Sequence, residues 1–155
     1  MSEMCGAKSR KGFTLVELAV VIVIIGVLAA FGVPRFMKSV ERAKAAEAFS
    51  YLSAVRAAQE RYQAQQGTYT TNISDLDIQF ASPTYFTVSP PVAGSTSNLE
   101  SSWSQTLTRV GAAAGYGPYT VTFTDQGYDT ANSTINALPD INPMGTAATG
   151  GTTGG

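Results

Sequence analysis

The feature that most constrains this chain is an apolar run at residues 13–33 that contains one charged residue, Glu17. A helix that crosses a bilayer needs about 20 predominantly apolar residues, and this run reaches that length when Glu17 is included. Residues 8–11, KSRK, precede the run and are strongly basic. An excess of lysine and arginine beside a membrane helix favours the cytoplasmic side, so the run predicts a single span with a cytoplasmic N-terminus.

A cleaved secretory signal peptide is an alternative interpretation of the same segment. It has a basic start and an apolar middle, and the small residues near Ala29 and Ala30 resemble a cleavage site. Two observations argue against it. Glu17 lies inside the apolar region, and the helical pattern continues beyond the small residues.

A second helical pattern follows the apolar run. Apolar positions recur at spacings of three to five, with most charged residues, Glu41 included, expected on the other faces of the helix. The stripe consists of Phe36, Val40, Ala45, Phe49, Leu52, Val55, Gln59 and Tyr62. Gly67 is a natural helix stop. We therefore predict one long helix over residues 13–66, whose first half lies in the membrane and whose second half is amphipathic.

The chain beyond Gly67 predicts a small antiparallel sheet. Residues 119–124 alternate between apolar residues and threonine, which is the strongest strand signal, and residues 85–88 and 103–110 are further strand candidates. A helical turn is expected at 74–76, a polar turn region at 92–101 and loops over 125–144. The predicted fold class is α+β, a long N-terminal helix packed on a small sheet.

Composition excludes several classes of function. The chain has no histidine, which is the commonest general base, and its single cysteine, Cys5, lies near the N-terminus. Arg109 is the only basic residue after Arg61, so the C-terminal part is acidic and has no electrostatic footprint for nucleic acid. We expect a structural protein that is not an enzyme.

Glu17 requires an explanation, because a carboxylate at membrane depth costs on the order of 3 kcal/mol. One interpretation is that it reaches the lipid headgroups, since it lies one turn from Phe13. In the other, cleavage between Gly12 and Phe13 creates a new amine on Phe13 at the depth of Glu17. Two staggered helices could then pair the amine of one copy with the Glu17 of the next, which would neutralise both charges.

The stretch from Gly12 to Glu17, GFTLVE, with the apolar helix and Pro34 after it, closely resembles type IV pilin and pseudopilin precursors. The resemblance implies that a membrane prepilin peptidase cuts after Gly12, removes residues 1–12 as a leader and N-methylates Phe13. It also implies that Phe13 and Glu17 act in assembly. The expected division is therefore a leader at 1–12, an assembly helix at 13–36, a head at 37–144 and a flexible Gly/Thr tail at 145–155.

A helix break is expected within the apolar segment. Pro34 removes one helical hydrogen bond and crowds the carbonyl of Ala30, and Gly26 and Gly32 weaken the same section. The resemblance implies that such subunits lose helicity between these positions in the filament.

No cofactor is expected, although calcium has candidate ligands in Asp125, Asp129 and Asp140, because hard cations prefer several oxygen ligands. The major pseudopilins of type II secretion carry calcium in their C-terminal region. Their pattern of acidic and aromatic residues is not matched here.

Three functions remain open at this point. The first is a subunit of a type IV pilus that serves motility, adhesion or DNA uptake, and the second is a pseudopilin of a secretion system. The third is a single-pass membrane protein that does not polymerise. For the first two, the resemblance implies the inner membrane before assembly, a homopolymer after it, and an assembly machinery as partner.

We predict that the mature protein begins at Phe13, lacks Cys5 and carries an N-methyl group. N-terminal mass spectrometry of the purified protein measures this directly. A chain that starts at residue 30 or 31 would show that signal peptidase had acted instead.

Overall fold

The first element is a long helix, as the sequence predicts. The computed structural model describes residues 12–112 and 115–145, and α1 covers Leu15–Gln66. The helix ends where Gly67 adopts a φ of 79°, a backbone conformation that favours glycine, with its N–H bonded to the Gln63 carbonyl at 2.7 Å. The predicted C-terminal boundary is confirmed.

The chain divides into two compact units, with the boundary between Phe36 and Met37. In the first unit every described residue is exposed, and the apolar part of α1 is long and apolar enough to cross a membrane. The second unit contains the rest of α1 and the sheet. The division into leader, assembly helix, head and tail stays a prediction, and residues 1–11 and 146–155 lie outside the described part of the chain.

The second unit contains an antiparallel sheet in which β3 is the central strand. The strands are β1 (Phe86–Val88), β2 (Val92–Ala93), β3 (Trp103–Arg109), β4 (Thr120–Thr124) and β5 (Gly127–Tyr128). Their order is β1-β3-β4-β5. β1 and β2 both pair with the same edge of β3: β1 pairs with its C-terminal end and β2 with its N-terminal end. The α+β class and the antiparallel sheet are confirmed.

Two strands form where the sequence predicts only turns and loops. β2 lies in the predicted polar turn region and β5 in the segment predicted as loop-rich. Each has two residues, which is too short for an alternating pattern to show in the sequence. The predicted helical turn at 74–76 is present as a 3-10 helix at Ile73–Asp75, capped by the Asn72 side chain, and a second one covers Thr134–Ala137.

The core of the second unit lies between α1 and one face of the sheet. Leu52 and Val55 of α1 and Leu107 and Val121 of the sheet are fully buried in one cluster. Phe49 meets Phe123 edge-on, with ring centroids 5.8 Å apart. The predicted packing of the helix on the sheet is confirmed.

Two polar residues of α1 are buried in this core. Glu41, expected to lie off the apolar stripe, is 1% exposed, so that expectation was wrong. Gln59 is fully buried; its amide donates to the Thr70 carbonyl at 2.7 Å and accepts from the Thr70 N–H at 3.0 Å. Burial is possible because both groups have hydrogen-bond partners.

We predict that Leu52→Ala lowers the free energy of unfolding of a 37–155 fragment by about 2–5 kcal/mol, because it opens a cavity in the core. Urea denaturation followed by circular dichroism measures the change. Val110→Ala is the matched control, since Val110 is 56% exposed and its truncation should change stability by less than about 0.5 kcal/mol. Equal losses in both variants would contradict this position of the core.

Candidate functional site

Glu17 is part of a hydrogen-bonded cap at the start of α1. Thr14 precedes the first helical residue, and its hydroxyl accepts from the Glu17 N–H at 3.2 Å. In return, the Glu17 carboxylate accepts from the Thr14 N–H at 3.4 Å and from its hydroxyl at 3.5 Å. This reciprocal arrangement is a capping box, and the positive end of the helix dipole also favours a carboxylate there.

This local partner of Glu17 was missed in the sequence because only cations were considered as partners. The spacing Thr-x-x-Glu before an apolar run would have indicated it. The contacts to the carboxylate are long, and an ionised carboxylate has about four acceptor positions. Glu17 therefore retains capacity to accept hydrogen bonds from another charged group.

The residues around the cap are open to the surroundings. Gly12 and Phe13 precede α1 and are exposed, and a side chain in place of the Gly12 hydrogen would meet no other atom within 4 Å. One turn further, Val16, Ala19 and Val23 line a shallow apolar groove along the helix. Small and branched residues at this spacing form holes into which the side chains of another helix fit.

The predicted break positions lie inside a continuous helix in this single chain. Gly26, Gly32 and Pro34 all fall within Leu15–Gln66. Loss of helicity between them concerns the assembled state and stays a prediction.

The three calcium candidates have separate partners. Asp140 pairs with Lys38 at 2.6 Å, and the Asp125 carboxylate accepts from Gln126 at 2.5 Å. The Asp129 carboxylate accepts from two backbone N–H groups and from the Asn132 amide. Within residues 12–112 and 115–145, no three His, Cys, Asp or Glu side chains are grouped so that they could hold a metal ion.

A buried ion pair joins α1 to the sheet. Arg109 Nε donates to Glu41 Oε1 at 2.6 Å and Nη2 donates to Oε2 at 3.1 Å, while the Tyr119 hydroxyl donates to Oε1 at 3.1 Å. Arg109 also donates to the carbonyls of Tyr85 and Val110. Both charged side chains are almost fully buried, so the pair depends on this full set of hydrogen bonds.

The contacts in this cluster lower the pKa of Glu41 and raise the pKa of Tyr119. Burial raises the pKa of Glu41, but hydrogen bonds and charge from Arg109 outweigh it and hold the pKa below its usual value. Burial and the neighbouring Glu41 charge raise the pKa of the Tyr119 hydroxyl. The sequence signal for this cluster was the solitary Arg109, at an inward position of a strand in which Trp103, Gln105 and Leu107 are also buried.

We predict that the second unit loses stability as the pH falls below about 4.5. The pKa of Glu41 is lower in the folded state than the ordinary value of 4.5. The contribution of Glu41 to the free energy of unfolding is therefore complete above pH 4.5. It is lost as the pH falls through the lower pKa of the folded state. Urea unfolding of the 37–155 fragment between pH 3 and pH 7 measures it.

Glu41→Gln should be less stable at pH 7 by about 3–5 kcal/mol, because it leaves Arg109 buried without its counter-charge. The loss on acidification should then be smaller than in the unsubstituted fragment. A variant that keeps the full pH dependence would contradict the assignment to Glu41.

Comparisons with known proteins match a family model to the N-terminal part of this chain and find several relatives. Residues 7–33 match the family model of the prokaryotic N-terminal methylation motif. The chain is 42% identical over 67 residues to the type IV major pilin protein PilA of Myxococcus xanthus. The aligned segment is 43% of this chain and 30% of that protein. This chain is 38% identical over 90 residues to the type II secretion system core protein G of Escherichia coli. The aligned segment is 58% of this chain and 59% of that protein.

A third relative is the type IV narrow pilus major component PilA5 of Thermus thermophilus. The two chains are 54% identical over 48 residues, which are 31% of this chain and 41% of the relative. This chain therefore spans between about a third and three fifths of the length of these relatives.

Proposed function

Because the chain is a member of the type IV pilin and pseudopilin family, we propose that it is a structural subunit of a type IV pilus-like filament. It is processed by prepilin peptidase after Gly12 and assembles through the first part of α1. The observation that carries the proposal is the exposed apolar surface of this helix around the Thr14–Glu17 cap. The most apolar 18-residue window of α1 is entirely unburied.

An exposed surface of this kind needs a nonpolar environment. Lipid supplies it before assembly, when the chain is a single-pass protein of the bacterial inner membrane with its N-terminus in the cytoplasm. Other copies supply it afterwards, because the apolar groove at Val16, Ala19 and Val23 accepts side chains of a neighbouring helix. The filament is extracellular if it is a pilus and periplasmic if it is a pseudopilus.

Glu17 then selects the arrangement of neighbouring copies. Removal of residues 1–12 leaves a positive amine on Phe13, which is methylated, next to the positive end of α1. The Glu17 carboxylate of a neighbour is the counter-charge available at that depth, and each charge is costly when it is unpaired in an apolar environment. The cap holds the carboxylate at the N-terminal end of the helix before this partner arrives.

The proposed roles of the filament are motility, adhesion or DNA uptake. A pseudopilin of a type II secretion system is the second candidate, favoured by the relative from that system, which covers more than half of this chain. A deletion strain separates the two, since loss of surface filaments indicates a pilus and loss of protein secretion with filaments intact indicates a pseudopilus. A chain that is never cut at Gly12 would instead be a non-polymerising membrane protein.

We predict that Glu17→Ala is inserted and cleaved normally but forms at least about a hundredfold less filament. The unpaired Phe13 amine costs several kcal/mol at membrane depth, and about 1.4 kcal/mol corresponds to a factor of ten. Filament yield from cells that express only the variant is the measurement, and immunoblotting of the processed form in membranes verifies insertion and cleavage.

Glu60→Ala is the matched control. Glu60 is an exposed carboxylate of the same helix, in an ion pair with Arg56 at 3.2 Å that is worth little at a surface. This variant should assemble like the unsubstituted chain. Normal filament yield from Glu17→Ala would refute pairing and support a carboxylate that only reaches the headgroups.

A further inference from the structure

The face of the sheet opposite α1 carries a row of hydroxyl groups. Along β3, Trp103, Gln105, Leu107 and Arg109 point to the core, so that Ser104, Thr106 and Thr108 lie on the other face. β4 pairs with β3 in a register that sets Ser104 against Thr124 and Thr106 against Thr122. Hydroxyl side chains from neighbouring strands therefore stand side by side on this outer face.

These residues form the floor of a trough with two polar walls. One wall is the end of β2 with Gly94 and Ser95, and the other contains Asp129 and Asn132. The trough has a volume of about 490 Å³, which is within the range of small-molecule sites. Its side chains are short, so the floor is open to a ligand with a broad, flat shape.

The walls are held in place by the fold. A side chain at position 94 would lie 2.9 Å from the Ser102 hydroxyl and from the Trp103 backbone, so Gly94 is required for the close approach of this wall. On the other side, the Asp129 carboxylate accepts from the N–H groups of Ala131 and Asn132, both at 3.0 Å, and from the Asn132 amide at 2.7 Å. A site that is already ordered loses less entropy on binding.

The chemistry of the lining selects a class of ligand. Among the described residues that line the trough, Asp129 is the only charged one, and hydrogen bonds from Asn132 hold its pKa below the usual range. A carboxylate without a lysine or arginine in the same lining repels phosphate, sulfate and nucleic acid. Hydroxyl, amide and carboxylate groups together both donate and accept hydrogen bonds, and the threonine methyl groups offer apolar contact.

We propose that this trough binds a neutral saccharide. The hydroxyl groups of a sugar would replace water on Ser104, Thr106 and Asp129, and its C–H faces would lie on the threonine methyl groups. The inference goes beyond assembly, and only its consequence in a filament depends on the proposed function. If α1 is covered by neighbouring copies, the opposite face of the sheet stays open and repeats along the filament, which raises avidity.

The test uses the full-length chain in detergent with ¹³C-labelled threonine methyl groups. The probes are maltoheptaose, cellohexaose and hexa-N-acetylchitohexaose, with a heparin hexasaccharide as the anionic comparison. At least one neutral probe should shift the methyl signals of Thr106, Thr122 and Thr124 saturably, while Thr87, exposed on β1 outside the trough, stays unchanged. The heparin hexasaccharide should produce no saturable shift.

The double variant Ser104→Ala/Thr106→Val should weaken binding about tenfold, because two hydroxyl groups are lost. The Thr122 hydroxyl, which bonds the Thr106 hydroxyl at 2.8 Å, still donates to the Asn132 carbonyl at 3.1 Å in this variant, so the sheet and the adjacent wall should keep their stability. Asp129→Asn, which retains a side-chain oxygen for the loop N–H groups, should also weaken binding. Thr87→Val is the control and should bind like the unsubstituted chain.

The proposal is overturned if no neutral probe saturates, if heparin binds as well, or if the double variant binds normally. It is also overturned if the trough signals shift with protein concentration in the absence of sugar, since a second copy would then occupy the trough. Binding by the detergent-solubilised chain does not require polymerisation. A failure of this proposal is therefore distinct from a failure to form filaments, which filament yield from the same variants measures separately.

Discussion

The apolar first part of α1, with its carboxylate one turn from the N-terminal end, is the constraint on which the rest of the molecule depends. A helix with apolar residues on all sides is unstable as an exposed element in water, so it requires lipid or other helices. Glu17 is costly in either environment unless its charge is compensated. The Thr14–Glu17 cap satisfies the helix end in the single chain but supplies no opposite charge. In the proposed filament, a neighbouring N-terminal amine would supply that charge, and this pairing would favour the filament over isolated chains.

In the second unit, the second part of α1 packs against the sheet and stabilises a folded domain. Leu52 and Val55 contribute apolar burial, whereas Glu41 and Gln59 contribute fixed hydrogen bonds to Arg109 and Thr70. A buried pair of charges adds little net stability compared with apolar packing, but breaking it is costly. The Glu41–Arg109 pair therefore opposes any sliding of β3 along α1, because a shift would leave both charges buried and unpaired. The opposite face of the sheet carries hydroxyl groups, of which Thr122 is buried while Ser104 and Thr106 are partly exposed.

The long helix, its end at Gly67, and the three longer strands could be predicted because each rests on a local pattern of several residues. The cleavage and assembly positions Gly12, Phe13 and Glu17 could also be proposed, since the motif is contiguous. The short strands β2 and β5 could not, because two residues have no periodicity and their pairing is decided by β3 and β4. The burial of Glu41 depends on Arg109, 68 positions away, and no local pattern contains both. The Thr14–Glu17 cap does have a local pattern, and it was missed because only charge was considered.

The central claim is that the N-terminal amine of one subunit meets the Glu17 carboxylate of another, and solid-state NMR of mixed filaments tests it most directly. Half of the subunits would carry ¹⁵N at the Phe13 amine, and the other half would carry ¹³C at the Glu17 carboxylate, so that every ¹⁵N–¹³C contact is between copies. The account predicts strong dipolar coupling, with the two atoms within about 4 Å as in an ion pair. Absence of coupling in mixed filaments, together with its presence when both labels are on one chain, would contradict the account.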